Sequence, residues 1–386
     1  MLGAIIGDVA GSLYEVEEVL AYKKKEPISY ESRIKILDKS VPLFREGSSY
    51  TDDTVLTCAI AECILNKGNY EEYLKKYGKK ELDLGLDAYG RSRFGQGFVD
   101  WVLGNSTGNS FGNGCAMRVS AIPMYYDNPE RILEETYKST ITSHNHEESV
   151  KATRAVALAI HLAKNKASKY EIKRTIEIDC GYNFDFDLET LQKTYTFSSK
   201  AASSVPQAIF CFLISNSFED SIRKAISIGG DTDTIAAITG SISENYYGIP
   251  NHIIEEVYNF IPAYLKKVVK RFYYNLDFKE FLNENEMNDP NFFEYVENVV
   301  WRTPSGTEKT WYKVIPNVNK DNVLTGFHVI VPEIYTKEDL LVNIHEYTHA
   351  FDLYQELGSV YNENIEEKEE RAKQLEKNYL SKEKRY

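Results

Sequence analysis

The chain has 386 residues, of which 42% are hydrophobic, and a formal net charge of −13. Its length allows two or three domains with buried cores, and its acidity disfavours general binding to DNA or RNA. Five cysteines without a CxxC pair argue against a disulfide scaffold and for a reducing compartment. Since neither a signal peptide nor a membrane-spanning apolar run is found, we expect a cytoplasmic protein without a membrane partner.

Helical periodicity dominates the chain up to residue 280. Apolar residues recur there at spacings of three and four, and alternating strand patterns are scarce. The clearest helical segments are Val55–Leu65, Glu148–Ala163, Ile235–Tyr247 and His252–Tyr273. The pattern predicts a mainly α protein whose first domain, residues 1–282, is all-α.

The character of the sequence changes after residue 282. Residues 283–291 read NENEMNDPN, a polar segment with Pro290 that is typical of a linker. Two segments beyond it are rich in Val, Ile and aromatic residues, which predicts strands over Thr310–Ile315 and Gly326–Val331.

Two helices are predicted after these strands. The first covers Lys337–Leu357 and would end at Gly358, because glycine is favoured just past a helix C-terminus. The second is charged and covers Glu363–Leu380. Two strands and two helices predict a separate, small α+β domain at residues 292–386.

Two acidic clusters stand directly before helical apolar runs, TDDT at residues 51–54 and DTDT at residues 231–234. Capping a helix uses one side chain, whereas each cluster has two carboxylates that repel each other. A hard divalent cation bound by carboxylate and hydroxyl oxygens would compensate the repulsion. Two clusters that face each other would hold two such ions, although either cluster alone is also compatible with ordinary capping.

Two glycine-rich segments lie between the clusters, FGQGF at residues 94–98 and SFGNG at residues 110–114. Glycine allows the backbone to approach a ligand closely, and backbone N–H groups bind phosphate oxygens. We interpret both segments as candidate ligand-binding loops, while a plain loop is the alternative for each.

Taken in order, five segments resemble the ADP-ribosylglycohydrolase family over residues 1–280. They are GAIIGDVAGSLYE at 3–15, TDDT at 51–54, GNGCAMR at 112–118, SHNH at 143–146 and GGDTDTIAAI at 229–238. The resemblance implies an all-α orthogonal bundle around two Mg²⁺ or Mn²⁺ ions. It also implies hydrolysis of the glycosidic bond of an ADP-ribosyl group on a protein or small molecule.

The resemblance assigns roles to matching residues. The metal ligands would be Thr51, Asp52, Asp53, Asp231, Asp233 and Thr234. Glu15 matches a glutamate placed beside the metals and is the first candidate for acid–base catalysis, with Asp53 second. The residues in contact with ADP-ribose would be Gly95, Gln96, Gly97, Ser110, Phe111, Gly112, Asn113 and His144.

Two further residues of these segments receive structural roles. We expect Asp8 to be a hydrogen-bonding residue and Arg118 to pair internally with a carboxylate. The leaving group stays open among arginine, serine, an acetyl group and others, because residues 68–89 are polar and match no family segment. A binding module for ADP-ribose without catalysis is the alternative function, and the intact acidic clusters argue against it.

The segment HEYTH at residues 345–349 is an HExxH motif. His345 and His349, four residues apart, share one helix face and suit Zn²⁺, and Glu346 would be the general base. Residues 310–386 resemble the gluzincin metallopeptidases. That resemblance implies a third ligand on the following helix, which matches Glu369, with Glu366 and Glu370 as rivals. The domain is either a small peptidase or a zinc-binding interaction module.

Overall fold

The computed structural model describes residues 1–86, 90, 92–289, 292, 313–331, 333–357 and 365–382. The chain divides into two compact units, Met1–Val268 and Val269–Tyr386. Pro290 of the predicted linker lies outside the described residues, and the linker stays a prediction. Across the described residues, every helix is too short or too polar to cross a membrane.

The described chain is mainly helical. In chain order the helices up to residue 284 are α1 (Leu2–Lys24), α2 (Tyr30–Ile34), α3 (Asp52–Leu65), α4 (Tyr70–Leu84), α5 (Gln96–Val102), α6 (Gly114–Met117), α7 (Ala121–Tyr125), α8 (Pro129–Ile141), α9 (Glu147–Lys164), α10 (Lys169–Cys180), α11 (Leu188–Thr194), α12 (Ala201–Leu213), α13 (Phe218–Ser227), α14 (Thr232–Tyr247), α15 (Asn251–Val257) and α16 (Ala263–Glu284). A 3-10 turn covers Lys35–Leu37.

The centre of the first unit is the contact between α1 and α14. A Cβ atom on Gly7 would lie 2.1 Å from the Ala236 carbonyl oxygen, and one on Gly11 would lie 2.5 Å from the Thr232 carbonyl oxygen. Only glycine permits so close an approach of two backbones. Residues 232–243 of α14 are all buried, so this helix forms the middle of the core.

Helix α3 begins at the first acidic cluster. The Thr51 side chain caps it by accepting a hydrogen bond from the Asp53 N–H, 3.3 Å away. Its apolar residues are buried on all sides, as expected for a helix in the interior. The predicted helices Val55–Leu65, Glu148–Ala163 and Ile235–Tyr247 therefore correspond to α3, α9 and α14.

The prediction of one helix over His252–Tyr273 is wrong. Helix α15 ends at Val257, and α16 begins at Ala263. Pro262 lies between them and lacks the N–H that would continue the hydrogen-bond pattern of a helix. Its carbonyl oxygen instead accepts the N–H groups of Leu265 and Lys266, both at 3.1 Å, at the start of α16.

The second unit contains a hairpin and two helices besides the end of α16. Strands β1 (Lys313–Val318) and β2 (Leu324–Ile330) are antiparallel, with Val314 opposite Val329. Helix α17 covers Lys337–Gln355, and α18 covers Ile365–Ser381. The outer ends of three predicted elements, residues 310–312, Gly358 and residues 363–364, lie outside the described residues.

A hydrophobic core of its own holds the second unit. Phe327 on β2 and Leu340 and Ile344 on α17 are fully buried in it. Helix α17 starts at a capping box, in which Thr336 and Asp339 each accept a backbone N–H of the other. The HExxH motif therefore lies in the middle of a well-anchored helix.

Candidate active site

A cleft of about 970 Å³ opens in the first unit. Helix α1 contributes Glu15 to its wall, and the N-terminal ends of α3 and α14 contribute Asp52 and Asp233. Other segments of its lining come from residues 92–98, 106–110 and 112–114. Both predicted acidic clusters and both glycine-rich segments thus face one space.

The two acidic clusters meet at the base of this cleft. Thr234 Oγ1 donates a hydrogen bond of 3.1 Å to Asp53 Oδ2. Carboxylate oxygens of Asp8, Asp53 and Asp233 lie within 4.8 Å of one another, and so do those of Glu15, Asp231 and Asp233. Asp233 belongs to both groups, which is the arrangement that a bridging metal ligand requires.

Asp8 organises the start of α3. Its carboxylate accepts the N–H groups of Thr51 and Thr54, each at 3.0 Å, and the Thr51 hydroxyl at 2.8 Å. It also accepts the Thr54 hydroxyl. Asp8 is thus the hydrogen-bonding residue expected from the sequence. Burial nevertheless raises its pKa to about 6, because these four donors offset only part of the desolvation.

The remaining carboxylates are electrostatically unfavourable without a cation. Burial, and after it the neighbouring carboxylates, raises the pKa of Asp52, Asp53 and Asp233 well above the ordinary value. Burial also raises the pKa of Asp231. Within the described part of the chain, Asp53 Oδ1 is buried and lacks a hydrogen-bond partner. Divalent cations would supply the missing charge and the missing partner, so this oxygen-only donor set fits them.

One predicted ligand-binding residue lines the cleft and also bonds a carboxylate of the second acidic cluster. Asn113 is buried, and its side-chain amide donates to Asp231 Oδ2 at 2.7 Å and to Ser204 Oγ at 3.1 Å. Asn113 therefore orients a carboxylate of the second acidic cluster. Sequence reasoning could not find this bond, because the two residues are 118 positions apart.

The first glycine-rich segment is not a plain loop. Gly95 is the N-cap of α5, and its carbonyl oxygen accepts the N–H groups of Phe98 and Val99 at 3.0 and 3.2 Å. Gln96 and Gly97 form the first turn of this helix. The segment forms a helix and not a loop because Trp101 and Val102, at the end of the same helix, are buried. Gly95, Gln96 and Gly97 are exposed and line the cleft.

The second glycine-rich segment lies beside residues 143–144. The Ser110 N–H donates to the Ser143 carbonyl at 3.2 Å, and the Gly112 N–H donates to Ser110 Oγ at 3.1 Å. Ser110 and Gly112 line the cleft. Phe111 is not among the cleft-lining residues; it is 52% exposed, and its ring makes a T-shaped contact with the His146 ring at a centroid distance of 6.0 Å. Its predicted contact with ADP-ribose therefore finds no support in this geometry.

His144 and Arg118 share one partner in the cleft wall. The Ser143 hydroxyl lies 2.8 Å from His144 Nδ1 and accepts a hydrogen bond of 2.7 Å from Arg118 Nη2. Burial, with the Arg118 charge second, lowers the pKa of His144 well below its ordinary value, so the imidazole is neutral. Arg118 is buried against a hydroxyl instead of the carboxylate expected from the sequence, and burial lowers its pKa to about 10.

Sequence reasoning missed one side of the cleft. Arg93 lines it beside Tyr50, with its guanidinium carbon 4.7 Å from the centre of the Tyr50 ring. An ion pair of 3.5 Å joins Arg93 to the buried Glu81 of α4. The polar segment from residue 68 therefore shapes the cleft through Glu81. The sequence carries no sign of this pairing, because it depends on how α4 folds back.

A second constellation lies in the second unit. The Nε2 atoms of His345 and His349 on α17 are 3.1 Å apart. Glu369 Oε2 on α18 lies 3.4 Å from the first and 3.3 Å from the second. Tetrahedral zinc with bonds of about 2.0–2.1 Å separates neighbouring ligand atoms by roughly 3.3 Å. The three atoms therefore have the spacing of a zinc site.

The same geometry distinguishes the predicted rivals. Of the three glutamates, Glu369 has a carboxylate oxygen beside both histidines. Glu370 is exposed, and the Glu366 side chain lies outside the described residues. Glu346 is half-buried. Burial raises its pKa, and the neighbouring His345 and a hydrogen bond from the Val314 backbone partly oppose the effect.

Comparison with known proteins identifies the class to which the first unit belongs. A sequence profile of this class, the ADP-ribosylglycohydrolase family, matches residues 1–280, and the chain belongs to that family. ADP-ribosylhydrolase ARH3 of Mus musculus is 26% identical over 312 residues, covering 64% of this chain and 83% of the relative. The Homo sapiens ARH3 is 27% identical over 316 residues, covering 64% and 84%.

A solved structure described as an ADP-ribosylglycohydrolase-related protein complex is also similar. It has a TM-score of 0.49 and 20% sequence identity, and the match covers 67% of this chain and 93% of that one.

Proposed function

We propose that the first unit is a hydrolase that uses two divalent metal ions to cleave the glycosidic bond of ADP-ribosyl groups. The observation that carries the proposal is the meeting of two acidic clusters, joined by the Thr234–Asp53 hydrogen bond, at the base of a large cleft. Membership of the family supports it, and so does the activity that the names of the ARH3 relatives state.

The donor set divides between the two clusters. One Mg²⁺ or Mn²⁺ would be held by Thr51, Asp52 and Asp53, and the other by Asp231, Asp233 and Thr234. When bound, the ions supply Lewis-acid polarisation of hydroxyl and water oxygens. Asp8 keeps the first cluster in place through its four hydrogen bonds to Thr51 and Thr54.

Glu15 is the better candidate for proton transfer. It is half-buried and lines the cleft, with an oxygen within 4.8 Å of Asp231 and Asp233 oxygens. Asp53 is 2% exposed, accepts the Thr234 hydroxyl and is not among the described lining residues. Glu15 can therefore take a proton from an incoming water or give one to the leaving atom as the ribose becomes oxocarbenium-like.

The rest of the cleft would hold the remote part of the substrate. Gly95, Gln96 and Gly97 on one side and Ser110 and Gly112 on the other would contact the diphosphate and ribose. Neutral His144 would lie near the adenosine. Binding energy from these contacts positions the reacting sugar over the acidic base of the cleft.

Hydrolysis of a panel of ADP-ribosylated substrates in Mg²⁺ tests the proposal and identifies the leaving group. The panel holds arginine-, serine- and acetyl-linked ADP-ribose, and the matched control is Asp233→Asn. Release of ADP-ribose by the wild type alone is expected. If ADP-ribose binds in calorimetry but no member of the panel is cleaved, the alternative of a non-catalytic binding module is correct.

A second candidate function belongs to the small α+β domain that we place at residues 292–386. We propose that His345, His349 and Glu369 hold one Zn²⁺, with Glu346 beside it as general base. The convergence of the three ligand atoms carries this proposal. Three ligands leave one coordination position open, as in catalytic zinc sites, so the domain is a peptidase or a zinc-stabilised interaction module.

Metal analysis of the purified chain tests the zinc proposal. The wild type should contain one zinc per chain, and a His345→Ala, His349→Ala double variant should contain none. Equal zinc content in the two proteins would refute the site. Cleavage of a peptide library by the wild type then separates the peptidase from the interaction module.

A further inference from the structure

One face of α18 carries two carboxylates toward the motif helix α17. Glu369 and Glu376 are seven residues apart, which is two helical turns, so they share a face. Ala372 lies between them in sequence and is fully buried. Its small side chain allows α18 to approach α17 closely at this point.

The two carboxylates contact opposite nitrogens of His345. Glu369 Oε2 lies 3.4 Å from Nε2, whereas Glu376 Oε1 lies 2.5 Å from Nδ1. An ionised carboxylate only accepts hydrogen bonds, so the contact with Glu376 requires the proton of the neutral imidazole to be on Nδ1. The lone pair of His345 is then on Nε2, which lies 3.1 Å from His349 Nε2.

We infer that Glu376 is a positioning residue for this metal site, holding His345 in the tautomer and ring orientation that present Nε2 to the ion. The inference rests on the proposed zinc site. Glu376 is not a ligand itself, since it contacts the nitrogen on the far side of the ring. A carboxylate in this position also makes the histidine nitrogen a stronger electron-pair donor to the metal. Loss of such a partner costs about 10- to 100-fold in metal affinity.

Helix α18 thereby contributes both a ligand and a positioning residue to the proposed metal site. Glu369 contacts both histidines directly, and Glu376 acts through His345 alone. A residue with this role changes the strength of metal binding without changing the number of ligands, which separates it experimentally from Glu369.

The experiment is a competition between the full chain and a chromogenic chelator for Zn²⁺. Glu376→Ala should weaken zinc binding about 10- to 100-fold while one zinc per chain still binds at saturation. Glu376→Gln should lie between the wild type and the alanine variant, because its amide oxygen still accepts from Nδ1–H. Glu370→Gln, an exposed change on the same helix, should match the wild type.

A spectroscopic measurement excludes a purely structural role. In the zinc-loaded wild type, the Nδ1 proton of His345 should give a slowly exchanging ¹H–¹⁵N signal that is absent from His345→Ala. The signal should shift in Glu376→Gln and broaden by solvent exchange in Glu376→Ala.

The outcomes are distinct. A wild type that binds no zinc overturns both the proposed site and the inference. A wild type that binds zinc, with Glu376→Ala and Glu376→Gln equally tight and the Nδ1 signal unchanged, overturns the inference alone. The graded loss described above supports it.

Discussion

Thr234 at the start of α14 donates a hydrogen bond to Asp53 at the start of α3, across 181 positions of sequence. The bond joins two helix N-termini whose exposed N–H groups favour negative charge. Those termini alone do not neutralise the clustered carboxylates, because the pKa values of Asp53, Asp231 and Asp233 remain raised. This imbalance leads to the first two predictions.

Replacing Asp233 by asparagine should separate function from stability. Turnover with Mg²⁺ should fall by on the order of a hundredfold or more, because the shared ligand is lost. The metal-free protein should melt about 2–4 °C higher, because one buried like charge is removed. Activity assays and thermal melts in chelator measure the two effects. Asp179→Asn, an exposed change on α10, is the control, and unchanged turnover in Asp233→Asn would contradict the metal site.

The stability of the metal-free protein should rise as the pH falls from about 7.5 to about 5. A carboxyl whose pKa is raised in the folded state, to about 6 for Asp8, binds its proton more tightly folded than unfolded. Its contribution is fully present below the unfolded pKa of about 3.9 and is lost as the pH rises through the folded pKa.

His144 contributes to the pH dependence of stability in the opposite direction. Because its pKa is lowered in the folded state, it removes stability as the pH falls below about 6.5. Thermal melts of the wild type and Asp233→Asn at each pH separate the contribution of Asp233 from that of His144, since both proteins keep His144. The wild type should show the steeper dependence in chelator and a flatter one in saturating Mg²⁺. Equal slopes in the two proteins would mean that Asp233 does not bind a proton in this range.

Glu15→Gln should lower kcat about 10²- to 10⁴-fold if Glu15 transfers a proton. The affinity for ADP-ribose, measured by calorimetry, should change much less, since glutamine keeps the shape of the side chain. Glu17→Gln, exposed two residues further on α1, is the matched control. Equal losses of kcat and affinity would instead assign Glu15 to metal binding or positioning.

Gly97→Ala should move stability and binding in opposite directions. A Cβ atom at Gly97 would meet nothing within 4 Å, and alanine favours a helix over glycine by up to about 1 kcal/mol. The variant should therefore be at least as stable as the wild type while binding ADP-ribose more weakly. Gly112→Val is a less clean test, because a Cβ there already lies 3.2 Å from Ser110 Oγ. Unchanged affinity for ADP-ribose in Gly97→Ala would show that the start of α5 does not contact the ligand.

Local patterns predicted several of the longer helices and the starts of α3 and α14, because capping and apolar periodicity act within a few residues. Pro262 marks the break between α15 and α16, but the apolar pattern continues on both sides of it, and the sequence therefore predicted one helix. By contrast, the turn of α5 at Gln96 and Gly97 depends on burial of Trp101, which a glycine-rich pattern does not reveal.

Pairings between distant segments were beyond local reasoning. The bonds of Asn113 to Asp231 and of Arg93 to Glu81 follow from how helices pack. In the second unit, the sequence left three glutamates as possible ligands of the HExxH helix. The distances from Glu369 to both histidines favour Glu369 among the three. The structure also shows that Glu376, which no motif marks, contacts His345.

The glycines at positions 7 and 11 have a consequence for how tightly the cleft could bind cations. They bring the backbone of α1 against that of α14, so main-chain contact fixes the distance between the two helices that carry Glu15 and Asp233. A site built in this way loses most of its conformational freedom when the chain folds. Ion binding then has only carboxylate side chains left to order, so little of the binding free energy is spent on arranging the protein.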